Sequence, residues 1–227
     1  MAQYSLNPNS PFFHEERHAS LAASTEKPIT ICGAGTLGGN LAEMLARMGF
    51  GHLRIIDKDR VETRNLSVQP YSRAEVGAPK ARVLANTLYR AVQAKAEAQV
   101  IALTGENAPA LLQGSALVID AFDNRAARAV VSETTRLLSV PCLHIGFDAD
   151  GLYGNGQWEP HYQIPREIPG DPCDYPLTRP MAMLLVALAA RAVTDFFREG
   201  QRNNFELTWN DLRIGYDRAG EVSRQND

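Results

Sequence analysis

The sequence has few cysteines and no long hydrophobic segment. Its three cysteines, Cys32, Cys142 and Cys173, are scattered and none belongs to a Cys-x-x-Cys pair. This pattern excludes a disulfide framework and a four-thiolate zinc site, so we expect no structural zinc and a reducing, cytoplasmic location. The longest apolar run, residues 181–190, is about half the length of a bilayer span, and the N-terminus lacks a signal-peptide pattern. We therefore expect a soluble protein without a membrane partner.

Excess positive charge is missing as well. The formal net charge is −3 at pH 7, and no stretch of the chain concentrates lysines. Proteins that bind nucleic acids carry basic patches, because they neutralise phosphates. We therefore expect no nucleic-acid partner. The length of 227 residues suits one well-filled α/β domain with short appendages.

Strand-like and helix-like segments alternate through the centre of the chain. The predicted strands are 29–33, 53–57, 98–102, 116–120 and 141–147, and the predicted helices are 37–48, 79–95, 106–112 and 125–138, with a short helix near 64–72. Alternation of this kind is typical of parallel sheets whose crossovers are helices. The sequence therefore predicts a doubly wound, Rossmann-like α/β fold with a mainly parallel sheet and helices on both faces.

The pattern changes after residue 147. Turn residues become frequent, and Tyr153, Trp158, Tyr162 and Ile164 stand at strand-like spacing, which predicts antiparallel strands. A proline-rich crossover loop at about 164–178 leads into a helix that ends near Glu199, and residues 205–216 form a terminal hairpin. We divide the chain into an N-terminal arm with a short helix (1–28), a single main α/β domain (29–217) and a disordered tail (218–227).

A glycine-rich turn follows the first predicted strand. The segment ITICGAGTLGGN places Gly33, Gly35 and Gly38 in G-x-G-x-x-G spacing between a strand and a helix. The first glycine allows a tight turn, the second lets backbone N–H groups approach a phosphate, and the third permits close packing of helix and strand. Asp57, which ends the next strand, can accept hydrogen bonds from both ribose hydroxyls. These features predict a nucleotide site and are compatible with a nicotinamide cofactor.

Three further features favour a triphosphate over a nicotinamide cofactor. Lys80, at the start of a predicted helix, can neutralise phosphate oxygens, although an ordinary solvated lysine has the same sequence signal. Asp123 and Asn124 follow a strand at the carboxyl edge of the sheet, where a carboxylate can hold Mg²⁺ or simply cap the next helix. Asn65 offers a side-chain amide near the same ribose and phosphates.

Taken in order, these motifs resemble the ThiF/MoeB/HesA-type family of adenylating enzymes, which is similar to ubiquitin-activating enzymes. The resemblance covers most of the chain. It rests on four segments: the turn at 33–38, IIDKDRVETRNLSVQ at 55–69, VGAPKA at 76–81 and ALVIDAFDNRAAR at 116–128. It implies ATP-dependent adenylation of a carboxylate, usually the C-terminal carboxylate of a small ubiquitin-like or sulfur-carrier protein, with release of pyrophosphate. It also implies a homodimer, and it leaves open a conjugating enzyme or sulfur donor as a further partner.

The resemblance assigns roles to individual residues. Lys80 stabilises phosphate charge, Asp123 binds Mg²⁺, and Arg17 extends from the arm into the site of the neighbouring subunit. Cys173, in the crossover loop, is the candidate to accept the acyl group as a thioester, and an incidental loop cysteine is the alternative. The implied ATP-binding residues are Gly33, Gly35, Thr36, Leu37, Gly38, Asp57, Asp59, Asn65, Lys80, Asp123 and Asn124.

The sequence departs from the family pattern at one position. Val68 stands where the family carries an arginine, and Arg60, Arg64 and Arg73 are nearby candidates to replace that charge. Because of Val68, a catalytically silent binding subunit stays open beside the enzyme. Adenylation of a peptide or tRNA carbonyl is a separate alternative within the enzyme interpretation. A nicotinamide-dependent oxidoreductase is disfavoured, since that chemistry needs neither a phosphate lysine nor the Asp-Asn pair.

Four residues near these motifs are expected to have structural roles. Cys32 and Cys142 lie in apolar strands, where cysteine usually behaves as a small core residue. His144, at the carboxyl end of a predicted strand, is more often packed than catalytic. Arg128 is expected to anchor the loop that carries Asp123.

Overall fold

One eight-stranded sheet runs through the protein in a computed structural model that describes residues 7–19, 26–166 and 175–217. The strand order is β3-β2-β1-β4-β5-β6-β7-β8, with β1 to β5 parallel and β6 to β8 antiparallel. The predicted doubly wound fold with a C-terminal antiparallel extension is confirmed. The strands are β1 (Ile29–Cys32), β2 (His52–Ile56), β3 (Lys95–Gln99), β4 (Leu117–Asp120), β5 (Cys142–Phe147), β6 (Tyr153–Trp158), β7 (Asn204–Thr208) and β8 (Arg213–Asp217).

Helices cover both faces of the sheet. Within the described residues they are α1 (Phe13–Ala19), α2 (Thr36–Arg47), α3 (Lys80–Val92), α4 (Ala108–Leu112), α5 (Arg125–Leu138) and α6 (Arg179–Glu199). Successive strand residues point to opposite faces, so Ile29 and Ile31 pack with α2, α3 and α6, whereas Cys32 packs with α4 and α5. Cys32 and Cys142 are fully buried core residues, as predicted. Burial raises the pKa of Cys142 to about 11.

Helix α6 begins and ends at the residues that the sequence indicates. The Thr178 side chain accepts a hydrogen bond from the Met181 N–H at 3.4 Å, and Gly200 ends the helix in the left-handed region at φ +70°. Within the described part of the chain, α6 is the one helix long and apolar enough to cross a membrane by length and composition alone. Since 56% of its most apolar window is buried within the protein, it also fits a core helix.

The third strand lies three residues earlier than predicted. Helix α3 ends at Val92 because Gln93 adopts the left-handed conformation at φ +58° and donates its N–H to the Tyr89 carbonyl. Strand β3 then uses small residues, Ala96 and Ala98, to contact the core. The β-branched residues Val100 and Ile101, which the predicted strand 98–102 contained, lie beyond the end of β3 and are exposed.

Two further boundaries differ from the prediction. The short helix expected near 64–72 is instead two 3₁₀ turns, Thr63–Asn65 and Arg73–Glu75. Between them the chain crosses the first turn of α2, where the Asn40 amide donates to the carbonyls of Thr36 at 2.7 Å and Val68 at 2.8 Å. Strand β6 ends at Trp158, so residues 162 and 164 lie beyond it. The tail at 218–227 lies outside the described residues.

Candidate active site

The glycine-rich turn connects β1 to α2 and packs against the end of β4. Gly33 has φ +97°, and a Cβ atom built there would lie 2.9 Å from the Ala121 carbonyl oxygen. A Cβ on Gly38 would lie 2.0 Å from the Gly33 carbonyl oxygen. Both positions therefore require glycine for packing within the protein.

Gly35 differs from the other two glycines. No atom of the described residues lies within 4 Å of a Cβ built on Gly35, so the space beside it is open. Gly35 is also the N-cap of α2, and no side chain in the described part of the chain caps that helix. The first N–H groups of a helix attract anions when no side chain satisfies them. The turn thus offers uncapped N–H donors beside open space.

Asp57 connects the turn to the loop after β2. One carboxylate oxygen accepts the Ala34 N–H and the other accepts the Asp59 N–H, each at 2.7 Å. The side chain is 6% exposed, and burial raises the pKa of Asp57 although these hydrogen bonds and the charge of Lys80 oppose that rise. Each carboxylate oxygen keeps further acceptor capacity, which ribose hydroxyls can use.

Lys80 is the first residue of α3 and its side chain is buried, at 6% exposure. Its backbone N–H donates to the Asp59 carbonyl at 2.9 Å, which fixes the start of the helix against the loop after β2. Among the described residues, no carboxylate lies within 4.0 Å of its ammonium. A cation without a partner in the described part of the protein is available to an anionic ligand.

Asn65 and Asp59 surround the same space. The Asn65 side chain is 4% exposed, and its amide oxygen accepts the Glu62 N–H at 2.9 Å. The oxygen is thus engaged within the protein, and the Nδ2 group is the donor that Asn65 can offer to a ligand. Asp59 contributes its backbone to the contacts of Asp57 and Lys80, while its side chain is exposed.

Asp123 and Asn124 form the exposed loop between β4 and α5. Asn124 is the N-cap of α5, and its side chain accepts the Ala127 N–H at 2.9 Å. Helix capping is therefore carried out by Asn124, and the Asp123 carboxylate is not needed for it. The described residues contain no group of three or more histidine, cysteine, aspartate or glutamate side chains that could hold a metal by themselves.

Arg128 lies below this loop and is almost fully buried. It donates to the Ile145 carbonyl at 2.7 Å and to the Tyr162 hydroxyl at 3.1 Å, and its Nη1 is 3.7 Å from the Asp120 carboxylate. Burial alone would lower the pKa of Arg128, but Asp120 and Tyr162 raise it. The structure thus places Arg128 beneath the segment that carries Asp123. His144, packed as expected, lies beside it on β5.

The remaining predicted residues are not brought together at the turn. Arg17 is exposed on α1 with its guanidinium 5.3 Å from the centroid of the Phe13 ring, and within the described chain no hydrogen bond or ion pair connects it to the turn. Cys173 lies outside the described residues. Arg60 donates to the Gly77 carbonyl at 2.7 Å, and Arg64 pairs with Glu62 at 2.7 Å. Arg73, the third candidate, is exposed on the second 3₁₀ turn.

Several contacts around the site were missed by the sequence analysis. The Tyr71 hydroxyl donates to the Ala34 carbonyl at 2.6 Å, and so supports the turn from below. Arg125 donates to the Pro165 carbonyl at 2.6 Å and holds the chain where the crossover loop was predicted to begin. Neither residue has a local sequence signal, because both contacts join segments more than 35 residues apart.

The chain is similar to proteins of one known family. A model of the ThiF family matches residues 4–161. The sulfur carrier protein adenylyltransferase of Thermus thermophilus is 36% identical over 117 residues, 51% of this chain and 43% of that protein. The sulfur carrier protein ThiS adenylyltransferase of Bacillus subtilis is 32% identical over 143 residues, 59% and 42% of the two chains.

Solved structures show the same architecture. MccB of E. coli, determined with AMPCPP and MccA, has a TM-score of 0.76 over 96% of this chain and 74% of its own, at 15% identity. At that identity the likeness extends to the fold. The present chain spans 43% and 42% of the two curated relatives described above. Because the family model covers more than half of the residues, the chain belongs to the ThiF family.

Proposed function

We propose that this protein uses ATP to adenylate a carboxylate and releases pyrophosphate. The observation that carries the proposal is the Lys80 side chain, which is 6% exposed and whose ammonium has no carboxylate within 4.0 Å among the described residues. Its charge acts on Asp57, which accepts the Ala34 N–H of the turn before the uncapped N-terminus of α2. A triphosphate supplies the negative charge that this arrangement lacks. The relatives named as adenylyltransferases support the same reaction.

The residues have distinct tasks in this reaction. The substrate carboxylate attacks the α-phosphorus in line and pyrophosphate leaves, so the protein must align two anions and stabilise the charge that develops between them. The N–H groups of residues 33–38, including Thr36 and Leu37, bind the phosphates, while Lys80 stabilises the phosphate charge. Asp57 and Asn65 bind the ribose, and Asp59 positions both Asp57 and the start of α3 through its backbone.

Asp123 is the residue that would hold Mg²⁺. It is exposed at the carboxyl edge of the sheet, is not used as a helix cap and is followed by Asn124, whose Nδ2 lies 3.4 Å from its carboxylate. In nucleotide sites Mg²⁺ uses one or two protein carboxylates together with substrate phosphates and water, so a single carboxylate fits. When bound, the ion neutralises phosphate charge.

The substrate is the C-terminal carboxylate of a small ubiquitin-like or sulfur-carrier protein. This assignment is supported by the relatives that are named for sulfur carriers, and a peptide carboxylate is the alternative. We further propose that the protein acts as a cytoplasmic homodimer in which Arg17 reaches the partner's site, and that Cys173 accepts the acyl group as a thioester.

A catalytically silent binding subunit is the second candidate, and Val68 favours it. The valine replaces one phosphate cation, and Asn40 holds its backbone carbonyl at 2.8 Å beside the first turn of α2. In that case the chain would bind a carrier without turning over ATP. The outcome of an exchange assay separates the two candidates.

ATP–pyrophosphate exchange in the presence of Mg²⁺ tests the proposed function. The probe is a purified sulfur-carrier protein with a free C-terminal carboxylate, compared with the same protein lacking its last two residues. Exchange that requires the intact terminus, disappears in Lys80→Ala and persists in Lys95→Ala supports adenylation. Lys95 is a suitable control because it is an exposed lysine on edge strand β3. Carrier binding without exchange would contradict the proposal and favour the silent subunit.

A further inference from the structure

A buried histidine lies between two carboxylates beneath the candidate site. His144 on β5 is 1% exposed. Its Nδ1 is 2.8 Å from the Asp120 carboxylate at the end of β4, and its Nε2 is 3.1 Å from the Glu159 carboxylate that follows β6. The ring is stacked on Tyr162 with centroids 3.6 Å apart and an interplanar angle of 5°. The ring is therefore fixed at both nitrogens and on one face.

These contacts define the charge of His144. An ionised carboxylate can only accept hydrogen bonds, so both ring nitrogens must donate, and only the imidazolium form carries two N–H groups. Burial alone would lower the pKa of His144, but the neighbouring Cys142 sulfur and the hydrogen bonds to Asp120 and Glu159 raise it to about 11. His144 is thus a buried cation near neutral pH.

Glu159 fixes the other end of the cluster. Its oxygens accept hydrogen bonds from Ser132 at 2.5 Å, from His144, and from Arg136 at 2.8 Å. Burial raises the pKa of Glu159, but these hydrogen bonds oppose it and lower the pKa to about 2. Each carboxylate in the cluster is therefore hydrogen-bonded and lies close to two basic side chains, since Arg128 is the second neighbour of Asp120.

Asp120 connects this cluster to the candidate site. Its second carboxylate oxygen accepts the Phe122 N–H at 3.1 Å, one residue before Asp123. The same stretch lies directly against the glycine-rich turn, since a Cβ on Gly33 would lie 3.2 Å from the Phe122 nitrogen. A change in the position of Asp120 would therefore move both the loop that presents Asp123 and one wall of the turn.

The cluster also holds the segment after β6. Arg136 donates to the Tyr162 carbonyl at 3.1 Å, and Arg128 donates to the Tyr162 hydroxyl. Three residues further on, Arg125 at the start of α5 holds the Pro165 carbonyl. Helix α5 thus connects the cluster, through Arg128 and Arg136, to Tyr162, and its first residue, the exposed Arg125, contacts the chain that leads to residue 166.

We propose that His144 is a positioning residue for adenylation: it holds Asp120, and through the Asp120–Phe122 hydrogen bond it fixes the loop that presents Asp123 to the nucleotide. This inference rests on the proposed function. His144 itself touches neither nucleotide nor metal. Its effect is on the placement of Asp123, and a misplacement of about 1 Å near reacting groups can reduce a rate on the order of 10²-fold.

The test compares His144→Gln with the wild type in two measurements. Hydrogen exchange of the Phe122 amide reports the loop directly, and we expect at least about a tenfold increase in the variant, because the Asp120 acceptor loses its fixed position. Calorimetry with ATP, first in EDTA and then with Mg²⁺, reports Asp123. We expect affinity without metal to stay within about twofold, since the turn is retained, while the gain on adding Mg²⁺ is lost.

Asp195→Asn is the matched control. Asp195 is a similarly buried carboxylate, 3% exposed, that accepts from Arg191 at 2.8 Å and Tyr216 at 2.9 Å far from the turn. It should lower the melting temperature without changing Phe122 exchange or the Mg²⁺ gain. If His144→Gln does not fold, Glu159→Gln replaces it, because it removes one charge but keeps an acceptor for His144. For Glu159→Gln we expect a smaller increase in Phe122 amide exchange and a smaller loss of the affinity gain on adding Mg²⁺.

The outcomes separate the two proposals. Unchanged Phe122 exchange in the folded variant, or an equal change in Asp195→Asn, would overturn the positioning role. A wild-type protein that does not bind ATP would contradict the proposed function, and the exchange measurement would still decide whether His144 fixes the loop. Nitrogen-15 NMR of the histidines adds a direct check: a singly protonated His144 ring at pH 7 would also overturn the inference.

Discussion

Two buried carboxylates lie at the ends of β2 and β4, the strands that flank β1, and they differ in the groups that contact them. Asp57 follows β2 and is held by two backbone N–H groups, with no cation within 4.0 Å among the described residues. Asp120 ends β4 and contacts the cationic side chains of His144 and Arg128. Asp57 therefore keeps acceptor capacity for a ligand, whereas Asp120 is engaged within the protein. Two similarly buried carboxylates thus differ in the acceptor capacity they keep, and their partners rather than their burial cause the difference.

Removing the Lys80 ammonium, near Asp57, should have the largest effect, a loss of ATP affinity. We expect Lys80→Met to weaken ATP binding on the order of 10²-fold, because it removes the cation that faces the phosphates. The melting temperature should change little, since methionine has a similar volume and the ammonium makes no ion pair within the described residues. Calorimetry measures the ATP affinity, and thermal denaturation measures the melting temperature. A loss of both binding and stability would contradict the binding role of Lys80.

Replacing each carboxylate by an amide should destabilise the protein by different amounts at Asp120 and Asp57. Asp120→Asn should destabilise the fold by about 3–5 kcal/mol, because it leaves buried cations without their counter-charge. Asp57→Asn should destabilise it by about 1 kcal/mol, since only hydrogen bonds to neutral backbone groups are altered, while ATP affinity falls. Urea denaturation gives both free energies. Equal losses in the two variants would show that burial alone governs them.

Two glycines of the turn also differ: Gly38 is needed for packing, whereas Gly35 lies beside open space. Gly38→Ala should destabilise the protein by about 1–3 kcal/mol or more, because its Cβ would lie 2.0 Å from a backbone oxygen. Gly35→Ala should fold with nearly wild-type stability, since no described atom meets the new methyl group, but it should bind ATP more weakly. Thermal denaturation with and without ATP distinguishes them. A Gly35→Ala protein with unchanged ATP affinity would place the phosphates elsewhere.

The comparison also predicts how stability depends on pH. The pKa of His144 in the folded protein, about 11, lies above that of an unfolded histidine, so its contribution to stability is complete below about pH 6.5 and is lost as the pH rises toward 11. The melting temperature of the wild type should therefore fall more between pH 7 and 10 than that of His144→Gln. Parallel curves for the two proteins would show that His144 is not held as a cation.

The sequence predicted the order of strands and helices because hydrophobic periodicity and glycine positions are local signals. It placed β3 three residues late, since Ala96 and Ala98 face the core where β-branched residues were expected. Among site residues, Lys80 and Asp57 follow from motifs. The Asp120–His144–Glu159 cluster could not be predicted, because each partner lies on a different strand or loop and only the tertiary fold brings the charges together.

One measurement tests the central claim most directly: calorimetric titration of the wild type with ATP and Mg²⁺ and, separately, with NAD, each repeated with Lys80→Ala. We predict saturable, Mg²⁺-dependent binding of ATP that is lost in Lys80→Ala, and no binding of NAD. Binding of NAD that is indifferent to Lys80, or the absence of ATP binding to the wild type, would contradict the account.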